Sequence, residues 1–332
     1  MTRLVYSDDS QPGITRKKVR HGWGYWDADG NRITDRDEID RLNAIGLPPA
    51  YRDAWFSPKP HGHIQAVGWD DKGRKQYRYH TDFRARREAD KYDRCSLFGL
   101  ALPKLRARVE GDLKKRDHSK ERTVAAIVKL LDIGHLRVGN ETYAKANKSF
   151  GATTLRNRHA KISGGTIKLQ YRAKSGKVRE LAITDRSLAR FVKKCQDLPG
   201  QRLFQYLGND GDPRPVTSSD VNDYIREATG CDFTAKHFRT WGASAIAFEA
   251  LASADHDIGL KTMLEPVTEA LGNTPAIARK SYVHPALIDL TKGDQTRFRE
   301  TLALPRGTRY LDRYERGLIA FLENGAKPRK AA

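Results

Sequence analysis

One tyrosine of this chain stands among basic residues, in the segment LGNTPAIARKSYVHP at residues 271–285. Tyr282 follows Asn273 by nine positions. A tyrosine oxygen becomes a nucleophile when nearby cations or a base favour its ionised form. The same segment is also compatible with the end of an ordinary helix that packs an aromatic ring. The choice between the two depends on which other side chains reach Tyr282.

Three basic residues elsewhere in the chain suit chemistry on a phosphate group. Arg137 stands in HLRVGNETY, Lys174 in AKSGK and Arg239 in KHFRTWG. Taken singly, each is best explained as a solvated surface charge or a salt-bridge partner, because most arginines and lysines are. In combination with Tyr282 they could surround a phosphodiester and stabilise the charge that develops on its oxygens.

Each of these residues is positioned by an element that the sequence predicts. A helix over KERTVAAIVKLLDIG should end at Gly134, so Arg137 comes just after it. The alternation in GTIKLQYRAKSGKVRELAIT predicts a β-hairpin with Lys174 at its turn. Arg239 falls on a helix over TAKHFRTWGASAIAFEALA, and further helices are predicted for SSDVNDYIREATG and for residues 260–282.

The whole chain is predicted to be an α+β protein of two domains. Residues 1–20 are expected to form a flexible basic arm. Residues 21–85 contain short alternating runs broken by turn residues, and predict a small β-rich domain with one short helix over TDRDEIDRLNAIG. In this domain, GWGYWDADGNRI predicts a strand, a turn at DADGN and a second strand. Residues 86–332 predict a larger, mainly helical domain that contains the β-hairpin, with a helix break near Pro103.

The charge of the chain indicates a polyanionic partner. Its 61 Lys and Arg outnumber its 41 Asp and Glu, which gives a formal net charge of +20. Nucleic acid is the leading candidate, and such binding should weaken steeply with added salt. A soluble enzyme that is merely basic is the alternative.

No metal or cofactor site is predicted. The three cysteines at positions 95, 195 and 231 form no CxxC pair, and they favour a reducing cytoplasm. The segment DADGNRITDRDE resembles a calcium loop but has Arg32 where glycine is needed, so a turn is the better interpretation. The N-terminal residues lack the apolar stretch of a signal peptide, and no apolar run approaches the ~20 residues that span a membrane. We therefore expect a soluble intracellular protein.

Taken in order, the motifs LRVGNE, AKSGK, KxxR and GNTP followed by SY resemble the catalytic set of the type IB DNA topoisomerases. The similarity is closest to the compact bacterial and poxvirus-like branch. It extends to GLPPAYRDAW, GHIQAVGWDDKGRKQYRYH and LRNRHAKI, and covers the chain from about residue 22 to residue 315.

The resemblance implies a role for each candidate residue. Tyr282 matches the nucleophile that forms a 3′-phosphotyrosyl bond and releases a 5′-hydroxyl. Arg137 and Arg239 match the arginines that hold the phosphate oxygens, and Lys174 matches the general acid. Neither ATP nor a metal ion is needed, because the tyrosyl ester keeps the bond energy and the arginines carry the charge. Asn273 occupies the position where the family usually has histidine.

The substitution at Asn273 leaves two interpretations open. An asparagine amide can donate a hydrogen bond to a phosphate oxygen, as histidine would, but it stays neutral at every pH. Alternatively, Asn273 only provides turn chemistry ahead of Pro275. His284, two residues after Tyr282, could take the histidine role, or it could cap or pack.

The resemblance also implies a duplex-DNA partner, held by two lobes that form a clamp around it, so that a monomer suffices. The candidate DNA contacts are Gln76, Tyr77, Tyr79, Tyr143 and Lys236. For the two tyrosines of KQYRYH, the alternative is that they fill one face of a strand.

Two other functions fit parts of the sequence. A tyrosine site-specific recombinase uses related chemistry, but those enzymes usually show HxxR and a helical N-terminal domain. This chain has KxxR at Lys236–Arg239 and strands in its first part. A non-enzymatic DNA-binding protein would account for the charge but not for the combination of Arg137, Lys174, Arg239 and Tyr282.

Overall fold

The structure, a computed structural model, describes residues 3–325. The basic tail AKPRKAA lies outside the described residues. The chain divides into two compact units, Met1–Lys91 and Tyr92–Ala332. The sequence placed this boundary six residues earlier, after residue 85.

The first unit is built on one antiparallel sheet of five strands in the order β2-β1-β3-β4-β5. A short helix accompanies it, and its N-cap Asp35 accepts a hydrogen bond from the backbone of Asp37. The core of this unit consists of Ile14, Tyr25, Leu42, Leu47, Phe56 and Ala66. Its elements are β1 (Ile14–Val19), β2 (Gly22–Trp26), α1 (Arg36–Ala44), β3 (Arg52–Phe56), β4 (Ile64–Trp69) and β5 (Lys75–Tyr79).

Two expectations for this unit are wrong. Residues 14–19 are not part of a flexible arm, because β1 pairs with both β2 and β3 and buries Ile14 in the core. The second strand expected after the DADGN turn is reduced to one bridge between Trp26 and Arg32. The basic composition of TRKKVR hid the strand, since its charged side chains remain exposed or half-buried while its backbone is paired.

Helix α2 runs without interruption from Thr81 to Lys114, with Pro103 inside it. The expected break near Pro103 is therefore wrong. Proline removes one helical hydrogen bond, but Leu102 and Leu105 beside it are buried in the core. The packing of these neighbours holds the helix in place.

The second unit is mainly helical. Its helices are α3 (Lys120–Gly134), α4 (Glu141–Asn147), α5 (Arg186–Gln196), α6 (Ser218–Thr229), α7 (Ala235–Ser253), α8 (Leu260–Leu271), α9 (Pro275–Ser281), α10 (Pro285–Leu290), α11 (Gln295–Thr301) and α12 (Arg313–Gly325). Side chains cap several of them, as the oxygens of Ser119 and Thr217 do for α3 and α6. The segment predicted as helical over residues 260–282 is two helices, separated at Gly272.

A small antiparallel sheet of three strands lies within the helical unit: β6 (Ala160–Ser163), β7 (Thr166–Arg172) and β8 (Val178–Thr184). The predicted hairpin corresponds to β7 and β8, and β6 was not predicted. Ile167, Leu169 and Tyr171 alternate along β7 and are all buried. The sheet thus packs one face into the core. A separate pair, β9 (Gln205–Leu207) and β10 (Pro213–Pro215), completes the strands.

Among residues 3–325, no helix has both the length and the apolar character that crossing a membrane requires.

Candidate active site

Four of the five predicted catalytic residues lie close together in the second unit, and three of these four are at the ends of helices. Arg137 follows α3, Asn273 separates α8 from α9, and Tyr282 comes directly after α9. Arg239 lies in the first half of α7.

Arg239 is the most deeply buried of the set, with 3% of its surface exposed. Its Nη1 donates to the carbonyl of His135 and its Nη2 to the carbonyl of Leu271 at 3.2 Å. Its Nε has no hydrogen-bond partner among residues 3–325. Burial, assisted by the charge of Arg137, lowers the pKa of Arg239 to about 10. The guanidinium of Arg239 stays protonated at neutral pH, and its Nε–H remains available to donate to a ligand.

The phenol of Tyr282 faces two arginines. The guanidinium carbon of Arg239 lies 4.7 Å from the centre of the Tyr282 ring. Burial by itself raises the pKa of Tyr282, but the charges of Arg239 and Arg137, and their hydrogen bonds to the phenol, outweigh it. The pKa of Tyr282 is therefore lowered. Two cations favour the ionised form, which is the form that attacks.

Asn273 is held by Arg137, whose Nη2 donates to the Asn273 Oδ1 at 2.9 Å. The backbone around Arg137 is fixed in turn, since its carbonyl accepts from the Ala152 N–H at 2.8 Å. The Asn273 Nδ2 is buried and has no partner within the described part of the chain. The amide is thus oriented with its acceptor occupied and its donor unused.

Lys174 is not brought to this group. It is exposed at the tip of the β7–β8 turn, whose base is closed by the Ala173 N–H donating to the Lys177 carbonyl at 2.8 Å. In the part of the chain that the structure describes, its ammonium makes no hydrogen bond or ion pair.

His284 serves as a helix cap. Its ring Nδ1 accepts from the Ala286 backbone N–H at 3.2 Å at the start of α10. The backbone N–H of His284 donates to the Ser244 hydroxyl at 3.0 Å. The ring is buried, and burial lowers the pKa of His284 to about 4. An imidazole that is neutral and caps a helix matches the capping interpretation of His284. It does not match the interpretation in which His284 takes the histidine role in the site.

Sequence reasoning missed Arg179 and Tyr171, which are paired across β8 and β7. Tyr171 is buried, and burial raises the pKa of its phenol, against the opposing effect of the nearby Arg179 charge. The signal was present in β8, where Arg179 is in phase with Leu181 and Ile183, both directed to the core side. An arginine at an inward position of a strand needs an explanation, because charged groups are rarely buried without a partner.

The candidate DNA contacts lie in both units. In the first unit, the rings of Tyr77 and Tyr79 stack 5.9 Å apart and are 39% and 46% exposed, so they form a surface and do not fill the core. Gln76 donates to the Asp70 carboxylate at 3.1 Å. In the second unit, Tyr143 is half-buried on α4 and Lys236 is exposed on the first turn of α7.

Comparison with known proteins identifies the family. Residues 80–279 match the family profile described as the catalytic core of eukaryotic DNA topoisomerase I. Residues 22–70 match the N-terminal domain of bacterial DNA topoisomerase IB. The DNA topoisomerase 1B of Acanthamoeba polyphaga mimivirus is 34% identical over 302 residues, which cover 87% of this chain and 90% of that protein. The chain belongs to the type IB DNA topoisomerases.

Within this family, the DNA topoisomerase 1B of vaccinia virus (strain Copenhagen) is 23% identical over 230 residues, or 68% of this chain and 72% of the relative. Among solved structures, the XerH site-specific recombinase bound to difH is similar over 60% of this chain and 49% of its own, at 16% identity and a TM-score of 0.40. A similarity at this level supports no conclusion about function. The resemblance to type IB topoisomerases is confirmed, and the two alternative functions give way to it.

Proposed function

We propose that this type IB topoisomerase relaxes supercoiled duplex DNA by cutting one strand with Tyr282 and resealing it. The observation that carries the proposal is the convergence of Arg239 and Arg137 on the phenol of Tyr282. A packed aromatic residue would have no need of two cations at its hydroxyl. A phosphodiester seated there would receive both the nucleophile and the charge that stabilises its transition state.

In the proposed cut, the Tyr282 phenol loses its proton to solvent water, and its oxygen forms a bond to phosphorus, giving a 3′-phosphotyrosyl ester. The bond from phosphorus to the 5′-oxygen breaks, and its electron pair leaves with that oxygen. Negative charge builds on the non-bridging oxygens, where Arg137, Arg239 and the free Asn273 Nδ2 supply donors. Guanidinium groups suit this task because they are always charged and present several donors in a fixed plane.

The departing 5′-oxygen needs a proton, and Lys174 is proposed to supply it. Because Lys174 is exposed at the turn and not in contact with Tyr282, this role requires the β7–β8 turn to lie against the bound DNA. Resealing is the reverse reaction: the 5′-hydroxyl returns its proton to Lys174 and expels the Tyr282 phenolate. A phenol is a good leaving group, with an ordinary pKa of about 10. The cycle therefore consumes no ATP and calls for no metal ion.

The partner proposed here is double-stranded DNA, consistent with the net charge of +20. Gln76, Tyr77, Tyr79, Tyr143 and Lys236 are proposed to contact it. We propose that the enzyme works as a monomer in the cytoplasm, on nucleoid DNA if its host is a bacterium.

The test is relaxation of a supercoiled plasmid with EDTA present and ATP absent. Wild type should relax the plasmid, Tyr282→Phe should not, and Tyr6→Phe should behave as wild type because Tyr6 is 81% exposed on the surface of the other unit. A denaturant added during the reaction should trap the protein on the 3′ end of the nick. Attachment to the 5′ end, or full activity of Tyr282→Phe, would contradict the proposal.

A further inference from the structure

Arg179 joins the ends of two helices. Its Nη2 donates to the carbonyl of Gly134 at 3.0 Å and to the carbonyl of Ala270. Gly134 is the last residue of α3, and Ala270 is the next to last of α8. Carbonyls in the last turn of a helix have no partner within it and carry the negative end of the helix dipole. A guanidinium between two such ends satisfies both.

The two carbonyls that Arg179 holds stand in the same relation to two site residues. Arg137 follows Gly134 by three residues, and Asn273 follows Ala270 by three. Arg137 and Asn273 are themselves joined by the 2.9 Å hydrogen bond. The link through Arg179 therefore fixes the residues at which two segments begin, one that leads to Arg137 and one that leads to Asn273.

Arg239 spans the same pair of helix ends, through the carbonyls of His135 and Leu271. Without Arg179, Arg239 would still join the ends of α3 and α8, and Arg137 would still join the segment after α3 to Asn273. The Nε of Arg239 has no partner among residues 3–325, so it remains available to a phosphate.

Gly272 brings Arg179 directly against the turn that carries Asn273. A Cβ on Gly272 would lie 2.4 Å from the Arg179 Nη1, so a larger residue here would displace the guanidinium from its present position. Furthermore, Arg179 forms no ion pair with a carboxylate among residues 3–325. A half-buried guanidinium without a counter-ion is costly unless the site gains from its charge or its geometry.

We propose that Arg179 is a positioning residue for strand cleavage, which holds Arg137 and Asn273 in register before DNA binds. This inference rests on the proposed function. Arg179 is not proposed to contact the DNA. Its partners are the carbonyls at the two helix ends and not the phosphate.

The experiment measures single-turnover cleavage of a duplex oligonucleotide together with non-covalent DNA affinity in a Tyr282→Phe background. Arg179→Met should slow cleavage about 10- to 100-fold, the loss expected when reacting groups shift by about an ångström. Affinity should change less than threefold. Arg179→Lys keeps the charge, but its shorter side chain and its ammonium do not reproduce the position of the guanidinium Nη2, so it should recover only part of the rate.

A combination with Asn273→Ala separates positioning from general support of the fold. Because Arg179 is proposed to act partly through Asn273, the double variant should be less impaired than the product of the two single losses. Losses that multiply, or wild-type cleavage by Arg179→Met, would overturn the proposal. If Arg179→Met does not fold, Arg179→Lys decides alone, and cleavage at the wild-type rate overturns it.

Arg190→Met is the matched control, since Arg190 is an exposed arginine on α5 of the same unit. It should cleave as wild type does. If the proposed function itself is wrong, wild type will not cleave the duplex. If only the role of Arg179 is wrong, wild type will cleave and Arg179→Met will cleave equally well.

Discussion

At the scale of single residues, Asn273 is the candidate that stands where type IB topoisomerases are expected to have histidine. Its Oδ1 is occupied by Arg137 and its Nδ2 is buried without a partner in residues 3–325. A residue that only shaped a turn would have no reason to bury an unused donor, since an unsatisfied buried group is destabilising. The geometry favours the donor interpretation over the turn interpretation.

Asn273→Ala should therefore slow cleavage by about 10-fold or more, because hydrogen bonds to charged groups contribute about 1.5–3 kcal/mol. Asn273→His should keep most of the activity, since imidazole also offers a donor. Single-turnover cleavage of a duplex oligonucleotide measures both. Unchanged cleavage by Asn273→Ala would refute the donor role.

The pKa of Tyr282 provides a second test at this scale. It is lowered because the arginines outweigh burial, so the cleavage rate of wild type should rise with pH and level off below the pH expected for a free phenol. Arg137→Met removes one cation, which raises the pKa of Tyr282 and moves the rising limb to higher pH. Rate profiles against pH for wild type, Arg137→Met and the exposed control Arg190→Met measure the shift. If the rising limbs of the three pH profiles superimpose, Arg137 does not lower the pKa of Tyr282 as assigned.

At the scale of elements, the site is a meeting of helix ends. The C-terminal ends of α3 and α8 supply carbonyls that Arg179 and Arg239 bind, and α7 supplies Arg239 itself. The break at Gly272 is what allows Asn273 to leave the helical direction and point at Arg137. One long helix over residues 260–282 could not place both Asn273 and Tyr282 in the site.

Gly272→Ala should destabilise the protein and slow cleavage. The residue has φ +63°, a conformation that costs a non-glycine residue about 1–2 kcal/mol, and the added Cβ meets Arg179. Thermal unfolding should show a loss of several degrees. Gly259→Ala is the control at the other end of α8, where no atom lies within 4 Å of the added Cβ. Equal effects of the two substitutions would argue against the role given to Gly272.

The elements were predicted best where periodicity and caps agreed. Helix α3 was recognised from its apolar spacing and from Gly134, and the β7–β8 hairpin from strict alternation. Helix α2 and strand β1 were misjudged, since the packing around Pro103 and the pairing of a basic strand depend on distant parts of the chain. The candidate site residues were proposed from the resemblance, whereas the proposal for Arg179 required the sheet register, which a single sequence does not provide.

At the scale of the whole molecule, charge and aromatic contacts should contribute to DNA binding in separable ways. The net charge of +20 predicts that the logarithm of the binding constant falls linearly with the logarithm of the salt concentration. The stacked, exposed Tyr77 and Tyr79 carry no charge, so their contribution should not depend on salt.

Tyr77→Ala with Tyr79→Ala should weaken non-covalent binding at every salt concentration and leave the slope unchanged. Lys236→Ala should reduce the slope by about one, the value for one phosphate contact. Salt titrations of binding in the Tyr282→Phe background measure both. A changed slope in the tyrosine variant, or an unchanged slope in the lysine variant, would show that the assigned contacts are wrong.

The hydrogen bond between Arg137 and Asn273 joins residues 136 positions apart. Contacts between such distant residues form late in folding, because closing a long loop costs conformational entropy before any contact repays it. An incompletely folded chain would already carry its positive charge and could adhere to DNA. It would still lack the arrangement that is proposed to make Tyr282 reactive, so an incompletely folded molecule bound to DNA should not cut it.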